Sequence, residues 1–134
     1  SQLGNAVQRV ASMINRYQQG VIGEYPKPGH DTAPYHEALA NQQFDRALEW
    51  VWELVKGLNV YLEQQKPWQL AKELDQSHLQ EVLAACVGDI LQIAELLKPF
   101  LPSTSETIKK IFHDGYVHNY SGVLFPRIEP EVKE

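Results

Sequence analysis

Cysteine is nearly absent from this chain. Cys86 is the only one, so neither an intramolecular disulfide nor a zinc cage built from cysteines is available. With Ala85 and Val87 beside it, the thiol reads as an inert buried one. Positive charge is also scarce. Twelve Lys and Arg stand against seventeen Asp and Glu, a formal net charge of −5, which argues against a broad phosphate-binding surface. No run approaches the roughly 18 apolar residues of a spanning helix, and the first residues lack a charged-then-apolar leader. The expectation is a cytoplasmic chain without a membrane partner. Glycine-rich phosphate loops, paired His on a helix face and Ser or Cys nucleophile motifs are all missing. So is strand-like alternation, apart from short fragments near the C-terminus.

What is present is helical period. The 134 residues, 43% apolar and 22% charged, suit one globular domain spanning 1–134. Leu3, Val7, Val10, Ile14 and Tyr17 recur at spacings of four and three, the apolar face of a first helix over 3–17. Gly20 and Gly23 end it, and 23–34, rich in proline and glycine, reads as a surface loop. A short helix over 35–40 follows, then a long one over 44–65. Its stripe is Phe44, Leu48, Val51, Val55, Leu58 and Leu62, with a second apolar side of Trp50, Leu54 and Tyr61. Two apolar sides place this helix at the centre of a bundle, and Gly57 within it suggests a close crossing by another helix.

Pro67 stops the long helix near Lys66 and opens a short one, which puts Trp68 at a junction. Leu79, Leu83, Cys86, Ile90, Ile93 and Leu97 define a third long helix over 76–97, ended by Pro99 and Pro102. Ser103-Thr104-Ser105-Glu106 has the form of a capping box before Ile108, Ile111 and Phe112. From Gly115 onward, including 124–129, extended chain laid over the bundle is expected. The fold class is therefore all-α, an antiparallel bundle of about four to five helices with an extended C-terminal tail.

Most polar residues have ordinary explanations. Glu49, Glu53 and Glu63 fit a solvated helix face. His30 and His36, with Asp31 and Glu37, would suit a metal only if the loop folded them together, and plain loop polarity is the simpler reading; no metal is expected. Two features ask for more. Asn5, Arg9, Ser12 and Arg16 form a polar line along the first helix, which is either a solvated face or a row of hydrogen-bonding groups. Trp68, after Lys66-Pro67, is either a junction-sealing core residue or an exposed platform on which a base stacks.

These features occur in a recognisable order. Leu3-Gly4-Asn5 with Arg9, then Asn59-x-Tyr61 leading to Pro67-Trp68-x-x-Ala71-Lys72, then Leu97-Lys98-Pro99-Phe100-Leu101-Pro102-Ser103-Thr104 and finally Leu124-Phe125-Pro126-Arg127-Ile128-Glu129 together resemble the anticodon-binding domain of methionyl-tRNA synthetases. The resemblance implies that Asn5 and Arg9 hydrogen-bond anticodon base edges. It implies too that Trp68, presented by Pro67, stacks on the leading cytosine of a CAU anticodon. Arg16, Lys66 and Lys72 are candidate RNA-backbone contacts. Partners would be the tRNA-Met anticodon loop and the catalytic domain of a parent methionine–tRNA ligase, to which ATP, with zinc as an option, would belong. These residues themselves would hold no cofactor and perform no catalysis. The alternatives are the corresponding domain of a sister class I synthetase (Cys, Leu, Ile or Val) and a helical protein-interaction module, in which Trp68 would be fully buried.

Overall fold

The structure, a computed structural model, describes residues 1–118. The expected extended segment at 124–129 lies outside the described residues. Among the described residues six α-helices run in chain order: α1 Gln2–Gln18, α2 Ala33–Ala40, α3 Phe44–Gln65, α4 Pro67–Lys72, α5 Gln76–Leu97 and α6 Pro102–Ile111. A two-stranded antiparallel hairpin follows, β1 Phe112–His113 with β2 Tyr116–Val117. The all-α reading holds, and the helix limits fall within two residues of those expected from hydrophobic period.

The centre of the bundle is α5 rather than α3. α5 buries Leu79, Val82, Leu83, Cys86, Val87, Ile90, Ile93, Ala94 and Leu97 among others, and packs against α1, α3, α4 and α6. α3 buries Ala47, Val51, Val55, Leu58 and Leu62, while Trp50, Leu54 and Tyr61 on its second side are only partly buried. The short α2 packs against α3, its Tyr35 ring lying 6.2 Å from that of Trp50. Phe44, counted in the apolar stripe, is exposed at the start of α3.

The close approach expected at Gly57 is absent: it faces solvent, with nothing within 4 Å of where a Cβ would stand. The crowded glycine is Gly88 on α5. A Cβ there would lie 2.7 Å from the Pro26 carbonyl oxygen, because the 23–32 loop is laid directly on that helix. His30 fastens the loop further, its Nε2 lying 3.2 Å from Asp89 Oδ1. Tyr35 pins α2, its hydroxyl donating to the Leu96 carbonyl at 2.6 Å.

The capping box is not formed either. α6 begins at Pro102, with Leu101 as the cap and no side-chain cap bond. At the first helical position a proline has no N–H to leave unsatisfied and its φ is already helical, so it starts the helix two residues earlier than a Ser103 cap would and leaves Ser103 inside it. After α6 the chain turns at Gly115, and Val117 N–H donates to the Gly20 carbonyl at 2.8 Å while Ile22 N–H donates to that of Gly115 at 2.7 Å. The start of the expected tail is thereby stitched to the end of α1.

Candidate nucleic-acid interface

Helix α1 seats itself by burying Leu3, Ala6, Val7, Val10 and Ile14, and so turns its polar line outward. Two bonds hold its first turn. Ser1 Oγ accepts from Gly4 N–H at 2.9 Å, and Asn59 Nδ2 on α3 donates to the carbonyls of Gln2 at 3.4 Å and Val55 at 3.2 Å. Asn5 therefore sits on an anchored helix start.

The junction between α3 and α4 aims Trp68. Lys66 adopts a left-handed backbone, φ 48°, a conformation that costs a non-glycine residue about 1 kcal/mol or more. It ends α3 and caps α4 at once. Pro67 then occupies the first position of α4 and is buried, which fixes the direction in which the next side chain leaves the helix. Trp68 is half-buried. Trp50 and Trp52 pack against the hydrophobic core; the Trp68 ring instead borders an open groove.

That groove, about 730 Å³, is lined on α1 by Gln2, Asn5, Gln8, Arg9, Ser12, Met13 and Tyr17, on α3 by Asn59 and on α4 by Trp68. Asn5, Arg9 and Trp68, three expected site residues, thus come together from two helices far apart in sequence. The Arg9 guanidinium carbon stands 5.3 Å from the centre of the Trp68 ring, and Arg9 Nη2 lies 3.2 Å from Glu63 Oε1. Both partners of that ion pair are substantially solvated, so it orients Arg9 more than it stabilises the fold. A guanidinium carries five N–H donors, and those not on Glu63 remain for an acceptor in the groove. Hydrogen-bond donors and an indole face thus meet at one spot.

The remaining candidates are placed differently. Pro67 is part of the support. Arg16 leans over Tyr17, 5.9 Å from the ring centre, at the far end of the groove. Lys66 and Lys72 are exposed at the two ends of α4, and neither lines the groove. Glu63, assigned from sequence to a plain solvated face, belongs to the site through Arg9. Its place four residues after Asn59, on one face of α3, is the signal that would have found it. Tyr17 was assigned to the apolar stripe, and its share in the groove had no sequence signal.

The perturbed titratable groups lie elsewhere. Burial pushes the Cys86 thiol up to about 12. Burial also raises Asp89, with His30 pulling the other way, and raises Tyr35 and Tyr61; the hydrogen bond from Lys109 lowers Glu95. None of these lines the groove, whose lining offers amide, hydroxyl and guanidinium groups beside two aromatic rings. His30 and His36 turn to separate partners, Asp89 and the edge of Tyr35. Among the described residues no group of three or more His, Cys, Asp or Glu gathers to hold a metal, and no helix is long and apolar enough to cross a membrane.

Residues 32–131 match the family described as the anticodon-binding domain of tRNA ligase. The chain is similar to the methionine–tRNA ligase of Streptococcus pyogenes serotype M3 (strain SSI-1), 32% identical over 119 residues that cover 79% of this chain and 18% of that protein. Among solved structures it is similar to the apo form of Mycobacterium tuberculosis methionyl-tRNA synthetase, with a TM-score of 0.70 and 24% identity over 98% of this chain and 32% of that one. The same enzyme in complex with methionyl-adenylate gives 0.64 and 27% identity over 84% and 25%. The chain thus spans about a fifth of the curated relatives it matches, and Asn5 and Arg9 precede the segment matched by the family.

Proposed function

The chain belongs to the family of anticodon-binding domains of tRNA ligases, and from that premise we propose that it reads the CAU anticodon of a methionine tRNA. In this reading it serves a parent ligase that joins methionine to that tRNA in the cytoplasm. ATP is consumed by the parent's catalytic part, which is this domain's other partner. The observation that carries the reading is the meeting of Arg9 and Asn5 with the half-exposed face of Trp68 in one groove.

Single-stranded loop bases are read by splaying them out, stacking them on aromatic rings and bonding their Watson–Crick edges. Trp68 supplies the ring for the leading cytosine. Asn5 offers both a donor and an acceptor, and Arg9 offers donors only; together they suit a base edge that carries both kinds of group. Pro67 and the left-handed Lys66 hold the indole in place, while Arg16, Lys66 and Lys72 stand as the nearby cations for RNA phosphates. The half-exposure of Trp68 speaks against a plain helical interaction module, in which the ring would be sealed in the core.

The test is a panel of anticodon stem-loops at one fixed salt concentration. CAU is set against anticodons for cysteine, leucine, isoleucine and valine. Tightest binding to CAU is the expected result. Tightest binding to one of the others would transfer the domain to a sister ligase.

A further inference from the structure

We propose that Tyr17, capped by Arg16, is a second stacking platform in the groove, and that it takes the nucleotide following the anticodon triplet. This extends the reading above and depends on it. Both aromatic rings of the groove have a guanidinium over them, Trp68 under Arg9 at 5.3 Å within the groove and Tyr17 under Arg16, just beyond its lining, at 5.9 Å. Tyr17 lines the groove and is half-buried, whereas its companions on the same stripe, Leu3, Val7, Val10 and Ile14, are at most 1% exposed. The ring is thus supported by the core and still reachable from the groove. That is the situation of a platform and not of a core residue.

The spacing chooses the nucleotide. Arg9 and Arg16 are two helical turns apart, so they share a face of α1 and stand roughly 10 Å from each other along its axis. With the two intervening bases stacked in line between the two rings, that distance is about three steps of 3.4 Å. Counted from the leading anticodon base on Trp68, the third step downstream is the nucleotide just past the triplet, and the third step upstream already lies in the paired stem. Between the two stations Gln8, Ser12 and Met13 line the floor, facing the intervening bases. A position outside the triplet need not be read for identity, and stacking tolerates any base. When the base takes the ring, Arg16, exposed on a flexible stem, turns to the phosphate of the same nucleotide.

The test uses the full chain and three CAU stem-loops: intact, abasic at the nucleotide after the triplet, and abasic at the leading cytosine. Tyr17→Leu keeps an apolar group against the core and Tyr17→Phe keeps the ring; thermal melting confirms that both fold. On intact RNA, Tyr17→Leu is expected to weaken binding about tenfold and Tyr17→Phe less than about twofold. The Leu penalty should vanish on the RNA abasic after the triplet and persist on the RNA abasic at the leading cytosine. A penalty that survives on the first of these, or is missing on intact RNA, overturns the platform. Trp68→Ala tells the two ideas apart: if it still weakens intact RNA, only the platform has failed, and if it changes nothing, the anticodon reading falls and the platform with it.

Discussion

The three tryptophans of this chain are put to different use. Trp50 and Trp52, both partly buried, pack against the outside of the core. Trp68 leaves α4 from a buried proline and borders a groove. All three rings are partly exposed; what sets Trp68 apart is that it borders a groove and has the Arg9 guanidinium over it. Cys86 is the opposite case, a potentially reactive group placed out of reach. It is fully buried on α5, and its thiol is raised from 9.0 to about 12. It should resist alkylation at neutral pH and react only on unfolding. Because the folded thiol keeps a proton that the unfolded one sheds, the associated stability is complete below pH 9.0 and is lost as pH rises through about 12. Denaturant midpoints measured across that range should fall, and should fall less steeply in Cys86→Ala. Equal slopes would remove Cys86 from the alkaline limb.

Elements were legible where their cause is local. The spacing of Val51, Val55, Leu58 and Leu62 is enough to give α3, and Pro67 after a long apolar period is enough to end it. What the sequence could not reveal depends on which neighbour arrives. Gly57 and Gly88 are both mid-helix glycines, and only the packed chain shows that Gly57 faces solvent while the Pro26 carbonyl presses on Gly88. Likewise Ser103 to Glu106 carries a cap pattern, but Pro102 one residue earlier takes over the start of α6. The same division runs through the site. Asn5, Arg9 and Trp68 were legible as ordered motif residues; Tyr17 and Glu63 were not, because an apolar-stripe aromatic and a surface glutamate look alike whether or not a groove runs past them. The glycines offer a direct test by chemical denaturation. Gly57→Ala should stabilise by up to about 1 kcal/mol, since it gains helix propensity at no steric cost. Gly88→Ala should destabilise by about 1–3 kcal/mol, since the new methyl must lift the loop. Equal effects would mean that the loop does not rest on α5.

The molecule as a whole is acidic, with a net charge of −5, and yet it is assigned an RNA. In the proposed reading the two are compatible, because the groove would recognise a few splayed bases and make few phosphate contacts; the cations of α1 itself are Arg9 and Arg16. The surrounding negative charge then discourages unspecific RNA. This sets a modest salt dependence. With about three phosphates neutralised, by Arg16, Lys66 and Lys72, the logarithm of the binding constant should fall against that of salt with a slope of roughly −2.1 for a single strand. A slope several times steeper would reveal a wider basic surface than the one described.

The most direct measurement of the central claim is a pair of titrations of Trp68→Ala and the unaltered chain with the CAU stem-loop, run beside their thermal melts. If the indole serves RNA, the variant should lose about 1–3 kcal/mol of binding, the worth of one stacked base, and should melt close to the unaltered chain. Undiminished binding, together with a stability loss of about 3–5 kcal/mol as for a buried tryptophan, would contradict the account and return Trp68 to the core.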